Sequence, residues 1–354
     1  QRLLVRLMRY NPVAVYVPGQ TLIIADTLSR SPLTLVEEEA VSQSEVECYV
    51  ATDVAGIPAS PSRMENNIKV ATDPGPYHVA YPRNYKVIMD DTPSCKTTTP
   101  FLILMVPVAP GDVAARDTIR KTWGGEKQVL GKLVKTLFIL GLPGGADAQQ
   151  QQEKLRQESQ QHHDLIQSNF QDSYRNLTIK TMVMLEWLVA HCVNASYVIK
   201  VDSDVLLHVR NLVKLLLDPS TAKQNYITGV VWWHSPVLRN PFNKFYMPRD
   251  VIAEAEYPPY PLGMAYVMSL DLPGKILGVS SQIKPIYIED AYLGMCLKRL
   301  GIPPTDPPEQ TMFIVDPRHP LSSCSLSKVI ATTTTSASQM ISYWERSRQP
   351  EAKC

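Results

Sequence analysis

The chain has 354 residues, 44% of them hydrophobic, and a formal net charge of +1. This length is enough to bury the core of one large α/β domain or of two smaller ones. The near-neutral charge, without a dense Lys/Arg block, gives no support for a nucleic-acid groove, which normally needs a basic stripe, so we expect no nucleic-acid partner.

The first 99 residues differ in composition from the rest. Residues 13–24 have the pattern of a short hairpin with Pro18-Gly19 as its turn. The opening stretch mixes Arg with Leu and does not resemble a signal peptide, and no apolar run reaches the roughly 20 residues that span a bilayer, so any membrane anchor is expected upstream. The Pro- and Thr-rich segment before residue 100 is typical of a linker. We therefore predict three regions, namely residues 1–65, a stem or linker at 66–99, and a folded domain at 100–354.

From residue 101 onward, apolar runs of strand length alternate with segments of helical periodicity. Residues 101–108 form a continuous apolar run, which is typical of a strand buried on both faces. Further strands are predicted at 133–140, 197–201, 227–232 and 265–269, and helices at 112–123, 147–163, 177–192 and 290–300. Such alternation predicts an α/β fold with a mostly parallel central sheet flanked by helices.

The cysteines and glycosylation sequons bear on the cellular compartment. Six widely spread cysteines form no C-x-x-C pair, so a zinc knuckle is not expected. Together with the N-x-S/T sequons at Asn176 and Asn194, they favour an oxidising, secretory compartment. Cys296 and Cys324 are expected to form or join disulfides, with the pairing left open.

Asp202-Ser203-Asp204 directly follows the predicted strand at 197–201, where open α/β sheets place their ligands. Two carboxylates at positions i and i+2 around a turn can present oxygens to one divalent cation. The cation can keep open positions for diphosphate oxygens. A solvated turn at a strand end is the alternative interpretation, and from the residues alone the two are about even.

Glu289-Asp290 opens the predicted helix that ends at residue 300. An acidic residue at a helix N-terminus is ordinary capping. The functional alternative is a general base that takes a proton from an acceptor hydroxyl.

Two further features could contact a ligand. Arg116 and Arg120 are four residues apart, share a helix face and could hold a diphosphate, although solvated basic residues are equally common. The Pro- and Tyr-rich segment at 257–264 could form a rigid loop that packs against a sugar ring, and a structural turn is as common an explanation.

Five motifs in one order resemble the β-1,3-glycosyltransferases of the Golgi, most closely the vertebrate β-1,3-galactosyltransferases. They are RDTIRKTWG at 116–124, FQDSYRNLTIKT at 170–181, KVDSD at 200–204, YPPYPLG at 257–263 and EDAYLGMCL at 289–297. The resemblance covers residues 100–354, and five motifs in register are far more specific than any one of them alone.

The resemblance implies a GT-A-type nucleotide-sugar-binding fold and an inverting hexosyltransferase. It implies that Asp202 and Asp204 hold Mn²⁺ against the diphosphate of a UDP-sugar, with Asp204 the expected direct ligand. It places the base in the Glu289-Asp290 pair, with Asp290 favoured. Nucleotide-binding residues are expected to be Arg116, Arg120, Lys200, Asp202 and Ser203.

The expected reaction moves galactose from UDP-galactose to the 3-hydroxyl of a terminal sugar, GlcNAc being favoured, on a glycoprotein or glycolipid glycan. A β-1,3-N-acetylglucosaminyltransferase that uses UDP-GlcNAc and a catalytically inactive glycan-binding protein are the alternatives. The family's type II membrane topology implies a location in the Golgi lumen, although its signal anchor is not visible in this chain.

The N-terminal segment resembles a different protein. Residues 1–60, through VYVPG at 15–19 and IADTLSR at 24–30, resemble the end of a Ty3/gypsy retroelement RNase H domain. Of the four metal-binding carboxylates of that domain only the last, Asp26, is matched, so no nuclease activity is expected.

Overall fold

The computed structural model describes residues 75–93, 95, 98–317 and 319–349. The strands of this part of the chain are β1 (Val87–Asp90), β2 (Leu102–Pro107), β3 (Gln128–Val129), β4 (Lys132–Leu142), β5 (Leu165–Gln171), β6 (Tyr197–Val201), β7 (Val205–Leu207), β8 (Ile227–Trp232), β9 (Ser235–Pro236), β10 (Glu256–Tyr257), β11 (Tyr260–Ser269), β12 (Phe313–Ile314) and β13 (Ala331–Thr333). Its helices are α1 (Val113–Lys121), α2 (Ala148–His162), α3 (Leu177–His191), α4 (Val209–Leu217), α5 (Leu272–Ser280), α6 (Glu289–Leu300), α7 (Ser323–Lys328) and α8 (Ala337–Ser347).

The central sheet has the strand order β1-β5-β4-β2-β6-β11-β8, and the short β3 pairs with β4. Strands β5, β4, β2 and β6 are mutually parallel. Strand β1 is antiparallel to β5, and β11 is antiparallel to both β6 and β8. This is the mostly parallel, helix-flanked sheet that the sequence predicts. The carboxyl ends of its parallel strands meet at one edge, where ligands bind in such sheets.

Strand β2 shows why the continuous apolar run at 101–108 forms a central strand. All six of its residues are buried, and alternate side chains point to opposite faces of a strand. Ile103 and Met105 pack in one core cluster with α3, α5 and α6. Leu102 and Leu104 pack in the other, with α1, α4 and α8. Each face of the sheet therefore has its own layer of helices.

The predicted helix at 112–123 is confirmed as α1, and its first turn is capped as the sequence suggests. The Asp112 carboxylate accepts a hydrogen bond from the Ala115 backbone N–H, at 3.1 Å. This satisfies one of the backbone donors that every helix N-terminus leaves unpaired. The cap fixes where α1 begins, directly after the carboxyl end of β2.

The expectation of a linker up to residue 99 does not hold for the part of that segment that the structure describes. Val87–Asp90 pairs with β5 as an edge strand, and Val79 is buried and donates its backbone N–H to Pro285 O. A disulfide joins Cys95 to Cys192 at the end of α3. An edge strand needs only one buried face, so its sequence lacks the apolar run by which the central strands were predicted.

The other cysteine expectations are partly corrected. Cys324 is disulfide-bonded, as predicted. Cys296 is a free, buried thiol, and burial raises its pKa to about 12. A thiol packed within α6 behaves as a small apolar side chain, which explains its burial without a disulfide.

The predicted hairpin at 13–24, the retroelement-like segment at 1–60 and the boundary at residue 65 lie outside the described residues and stay predictions. Among the described residues, no helix combines the length and the apolarity that a bilayer crossing requires.

Arg116 and Arg120 link α1 to α2 by buried ion pairs. Arg116 is fully buried, and its Nε and Nη2 donate to the two carboxylate oxygens of Glu158, both at 2.7 Å. It also donates to the Ala109 and Pro110 carbonyls, at 3.0 and 3.1 Å. Arg120 donates to Glu158 and, through two nitrogens, to Asp164. The prediction that these arginines hold a diphosphate is therefore wrong: their donors are occupied by protein oxygens.

We expect Arg116→Met to lower the free energy of unfolding by about 3 kcal/mol, because it leaves the buried Glu158 carboxylate with Arg120 as its remaining cationic partner. Arg156→Met is the matched control, since Arg156 lies on the exposed side of α2 in a surface pair with Glu153 and should change stability by less than about 1 kcal/mol. Urea unfolding measures both. Unchanged stability with weakened nucleotide binding in Arg116→Met would instead place this side chain at the ligand.

Candidate functional site

The Asp202-Ser203-Asp204 turn is fixed from two sides at the carboxyl end of β6. The Asp202 backbone N–H donates to Met264 O of β11, at 2.8 Å. The Asp204 carbonyl accepts from both the backbone N–H and the hydroxyl of Thr334, each at 2.7 Å. These main-chain bonds set the turn so that all three of its side chains line one cavity.

Lys200 joins this turn to β11. Its ammonium donates to Asp202 Oδ1, at 2.7 Å, and to the carbonyl of Gly263. Burial lowers the pKa of Lys200, but the charges of Asp202 and Glu289 outweigh burial and raise it overall. The charged form of the buried Lys200 ammonium is therefore favoured.

A bulge in β11 makes Gly263 available to side chains. The pairing of β11 with β8 shifts register between Pro261 and Tyr266, and bulges leave backbone groups outside the ladder. The Gly263 N–H donates to Asp290 Oδ2, at 3.0 Å, while its carbonyl accepts from Lys200. A Cβ at this position would lie 3.1 Å from Glu289 Oε2, 3.4 Å from Asp290 Oδ2 and 3.6 Å from Lys200 Nζ. Glycine thus lets three charged groups converge. The predicted rigid loop at 257–264 is mostly strand: it begins with β10 and enters β11 at Tyr260.

Glu289 and Asp290 begin α6 but have different surroundings. Glu289 is buried, and its Oε1 accepts hydrogen bonds from the Thr181 hydroxyl, at 2.9 Å, and the Tyr266 hydroxyl, at 2.7 Å. Asp290 lies at the cavity, and its carboxylate accepts from two backbone donors, Gly263 N–H and, at 2.9 Å, Ala291 N–H. Burial and then the charge of Glu289 raise the pKa of Asp290 to about 6.

One cavity of about 380 Å³ brings the two acidic motifs together. Six of the eight predicted site residues line it: Lys200, Asp202, Ser203, Asp204, Glu289 and Asp290. Arg116 and Arg120 are not among the residues that line it. Their contribution is indirect, since Arg116 holds the carbonyls of Ala109 and Pro110 in the segment that leads from β2 to α1, and Ala109 is part of the cavity wall.

The charge of the cavity decides what it can bind. Among the described residues its lining has six carboxylates (Asp112, Asp202, Asp204, Glu289, Asp290 and Asp316) and two lysines (Lys200 and Lys244). An anionic ligand would be repelled by this excess of negative charge unless a cation entered with it. Paired carboxylate oxygens are the ligands that hard divalent cations prefer. The described part of the chain offers no cluster of three or more His, Cys, Asp or Glu as a closed metal cage. The donor set fits an open cation site completed by ligand oxygens.

Several residues that shape the site were not predicted from the sequence. Thr181 and Tyr266 hold Glu289, and Trp232, Lys244 and Phe245 form part of the cavity wall. Thr181 belongs to the family motif at 170–181, which marks it as a residue of interest, but the motif does not show that Thr181 binds Glu289. Trp232, at the end of β8, had no such signal.

The sequence is similar to those of known proteins. A protein-family model described as Galactosyltransferase matches residues 114–308. Human "Beta-1,3-galactosyltransferase 2" is 37% identical over 284 residues, which cover 80% of this chain and 65% of the relative. Mouse "Beta-1,3-galactosyltransferase 1" is 38% identical over 224 residues, covering 63% of this chain and 68% of the relative. The chain thus spans a little less than two thirds of the human relative's length.

The similarity to solved structures is looser. A mannosyltransferase from Pyrobaculum calidifontis, in complex with GDP-Man and Mn²⁺, is 15% identical with a TM-score of 0.33, covering 63% of this chain and 59% of that one. None of these matches supports the retroelement-like interpretation of residues 1–60. The family model spans more than half of the sequence, and the chain belongs to the galactosyltransferase family of glycosyltransferase enzymes.

Proposed function

We propose that the protein is an inverting β-1,3-galactosyltransferase that transfers galactose from UDP-galactose to the 3-hydroxyl of a terminal sugar, with GlcNAc the favoured acceptor, on a glycoprotein or glycolipid. The observation that carries the proposal is the shared cavity, whose lining includes both the carboxylate pair of Asp202 and Asp204, suited to a cation, and Asp290. Lys200 and Gly263 link the two through hydrogen bonds.

The donor end consists of Asp202, Ser203, Asp204 and Lys200. Asp202 Oδ1 accepts from Lys200, and the family resemblance favours Asp204 as the direct metal ligand. A divalent cation bound here, Mn²⁺ by family resemblance, supplies positive charge against the diphosphate as the nucleotide leaves. Lys200 fixes the orientation of Asp202 and keeps a positive charge in the cavity lining.

The acceptor end centres on Asp290. Its carboxylate takes the proton of the acceptor 3-hydroxyl, the hydroxyl oxygen forms a bond to the anomeric carbon of the donor sugar, and the bond from that carbon to the UDP oxygen breaks. A single displacement of this kind inverts the anomeric configuration. Glu289 is less suited to the role, because its Oε1 already accepts two hydrogen bonds from buried hydroxyls. Burial, and after it the charge of Glu289, raises the pKa of Asp290 toward neutrality, where a base is most effective.

An aromatic wall beside Asp290 suits a sugar acceptor. Trp232 and Phe245 line the cavity and remain 47% and 38% exposed. Sugars present C–H faces that pack on aromatic rings, while their hydroxyls need polar partners. We propose that the terminal acceptor sugar lies against Trp232 with its 3-hydroxyl toward Asp290.

The proposed location is the Golgi lumen, with the type II topology of the family. The Cys95–Cys192 disulfide supports an oxidising compartment, in which disulfides form. The membrane anchor that the family resemblance implies stays a proposal.

The assignment is tested by incubating the full chain with Mn²⁺, UDP-galactose or UDP-GlcNAc, and acceptors ending in GlcNAc or galactose. We expect galactose transfer with a β-1,3 linkage, measured by mass spectrometry and NMR of the product. Asp204→Ala and Asp290→Asn should each lower kcat/KM by about 10²-fold or more, with an unchanged circular dichroism spectrum.

Asp218→Asn, on an exposed turn after α4, is the matched control and should keep full activity. Preference for UDP-GlcNAc would establish the N-acetylglucosaminyltransferase alternative. Acceptor binding without turnover would establish a glycan-binding protein, and full activity of both site variants would remove this site assignment.

The pH dependence of kcat/KM tests the base. The working form of Asp290 is the carboxylate and its pKa is about 6, so kcat/KM should fall as pH is lowered through that value and level off above it. Donor binding, measured by calorimetry over the same pH range, is the control and should change much less. A profile without an inflection between about pH 5 and 8 would assign proton removal to another group.

Trp232→Ala tests the acceptor wall. We expect the KM for the acceptor to rise about tenfold, equivalent to about 1.4 kcal/mol, while the KM for UDP-galactose stays near the wild-type value. Trp233→Ala is the matched control, because Trp233 is similarly exposed, at 41%, but donates its indole N–H to Asp306 and is not part of the cavity lining. Equal effects of the two substitutions would contradict the proposed platform.

A further inference from the structure

A second cavity lies at the end of β7 that is remote from the Asp202-Ser203-Asp204 turn. Its volume is about 490 Å³, against about 380 Å³ for the catalytic cavity, and the two have no described lining residue in common. We propose that this second cavity binds an acidic glycan, that is, a sugar that carries a carboxylate or a sulfate. The choice of a glycan among anionic ligands rests on the proposed function, since the enzyme would meet glycan chains as its substrates.

The second cavity has the opposite charge to the catalytic one. Its described lining has three cations, Arg210, Lys214 and Arg348, and one carboxylate, Glu126. Arg348 and Glu126 form an ion pair, so their charges largely cancel. The side chains of Arg210 and Lys214 are exposed and make no ion pair or hydrogen bond within the described part of the chain. They are four residues apart on α4 and therefore share one face of that helix, so two uncompensated cations line the same recess.

His208 also lines the second cavity but adds no charge to it. Its Nδ1 accepts the Asn211 backbone N–H, at 3.3 Å, which caps the first turn of α4. A ring nitrogen that accepts this bond carries no proton, so the imidazole is in its neutral form. Burial lowers the pKa of His208 below its ordinary value, which favours the same form. The positive charge of the cavity therefore comes from its Arg and Lys side chains.

Bonds within the protein hold the walls of the second cavity together. The Asn211 side-chain amide donates to the carbonyls of Ser327 and Val329, at 2.7 and 2.9 Å, and so joins α4 to the end of α7. The ion pair of Arg348 with Glu126 joins the end of α8 to the segment that precedes β3. A site whose walls are already in place binds a ligand with a smaller loss of conformational entropy.

Trp344 adds an aromatic surface to the second cavity. It packs partly against the apolar core, and the Arg348 guanidinium carbon lies 4.8 Å from its ring centroid. A sugar ring offers C–H groups to an aromatic surface, and an acidic substituent on that ring offers oxygens to Arg and Lys. An inorganic anion would use the cations but not the aromatic wall. The combination therefore fits an acidic sugar better than it fits a free anion.

The second cavity is separate from the proposed reaction. Asp204, the expected metal ligand, precedes β7, and His208 follows it, so the three residues of β7 lie between the two sites. Four steps along an extended chain, at about 3.3 Å each, amount to about 13 Å. None of the catalytic residues proposed above lines the second cavity, so glycan binding there can be altered without touching the reacting groups.

The test measures binding to the full chain by calorimetry with four probes: sialyl-lactosamine, 6-sulfo-lactosamine, neutral lactosamine and inorganic sulfate. We expect at least one of the two acidic sugars to bind about tenfold more tightly than neutral lactosamine and than sulfate, and the tighter of the two identifies the acidic group. Raising the salt concentration should weaken this binding, because it screens exposed charges.

Arg210→Glu and Lys214→Glu should each weaken binding of the acidic sugar by about tenfold, because charge reversal replaces an attraction with a repulsion. Lys223→Glu is the matched control, since Lys223 is exposed on the loop after α4 and is not part of the cavity lining. It should keep full affinity. All three variants should keep the wild-type kcat/KM toward a neutral acceptor, and their circular dichroism spectra should be unchanged.

Equal binding of the neutral and acidic sugars, or equal effects of Lys214→Glu and Lys223→Glu, would overturn the proposal. Sulfate binding as tight as that of either acidic sugar would reveal a simple anion site and would overturn it as well. The same holds if the chain binds vesicles that contain phosphatidylserine but neither acidic sugar. Absence of galactosyl transfer by a wild-type chain that does bind the acidic sugar would instead count only against the proposed reaction.

Discussion

The site depends on one buried charge. The Lys200 ammonium lies between Asp202 and the carbonyl of Gly263, and Gly263 in turn donates to Asp290. An unpaired ammonium at this depth would lose its proton or its position. The carboxylates around Lys200 keep it charged, and Lys200 allows them to lie close together. The proposed cation ligands and the proposed base are thus linked through Lys200 and Gly263.

Two backbone features of the fold, the end of β6 and the bulge of β11, position Lys200 and its partners. The parallel strand β6 ends at the cavity and delivers Lys200 and the Asp202-Ser203-Asp204 turn in five residues. The bulge of β11 turns a strand backbone into a donor and an acceptor for side chains. A regular ladder at Gly263 would have used both groups for pairing with a neighbouring strand, and Lys200 and Asp290 would have needed other partners.

Much of the fold and part of the site could be predicted from the sequence, and the limits have physical causes. Apolar runs and helical spacing predicted the central strands and helices, because burial on two faces or on one stripe leaves a periodic trace. Spacing also placed Arg116 and Arg120 on one helix face, but it could not show that this face turns inward toward Glu158 and Asp164, some 40 residues away. Edge strand β1 and the wall residue Trp232 leave no such trace, and only the tertiary structure reveals them.

The positions of Arg116 and Arg120 affect how the cavity can bind an anionic donor. With Arg116 and Arg120 committed to carboxylates, the described cavity lining has two lysines against six acidic groups. A diphosphate gains little from such a surface and would add to its repulsion. Charge balance therefore favours a nucleotide that binds together with a divalent cation. Recognition of the diphosphate by Lys and Arg side chains alone is disfavoured. The metal dependence proposed for this enzyme then follows from the electrostatics of its own residues, as well as from its resemblance to a family.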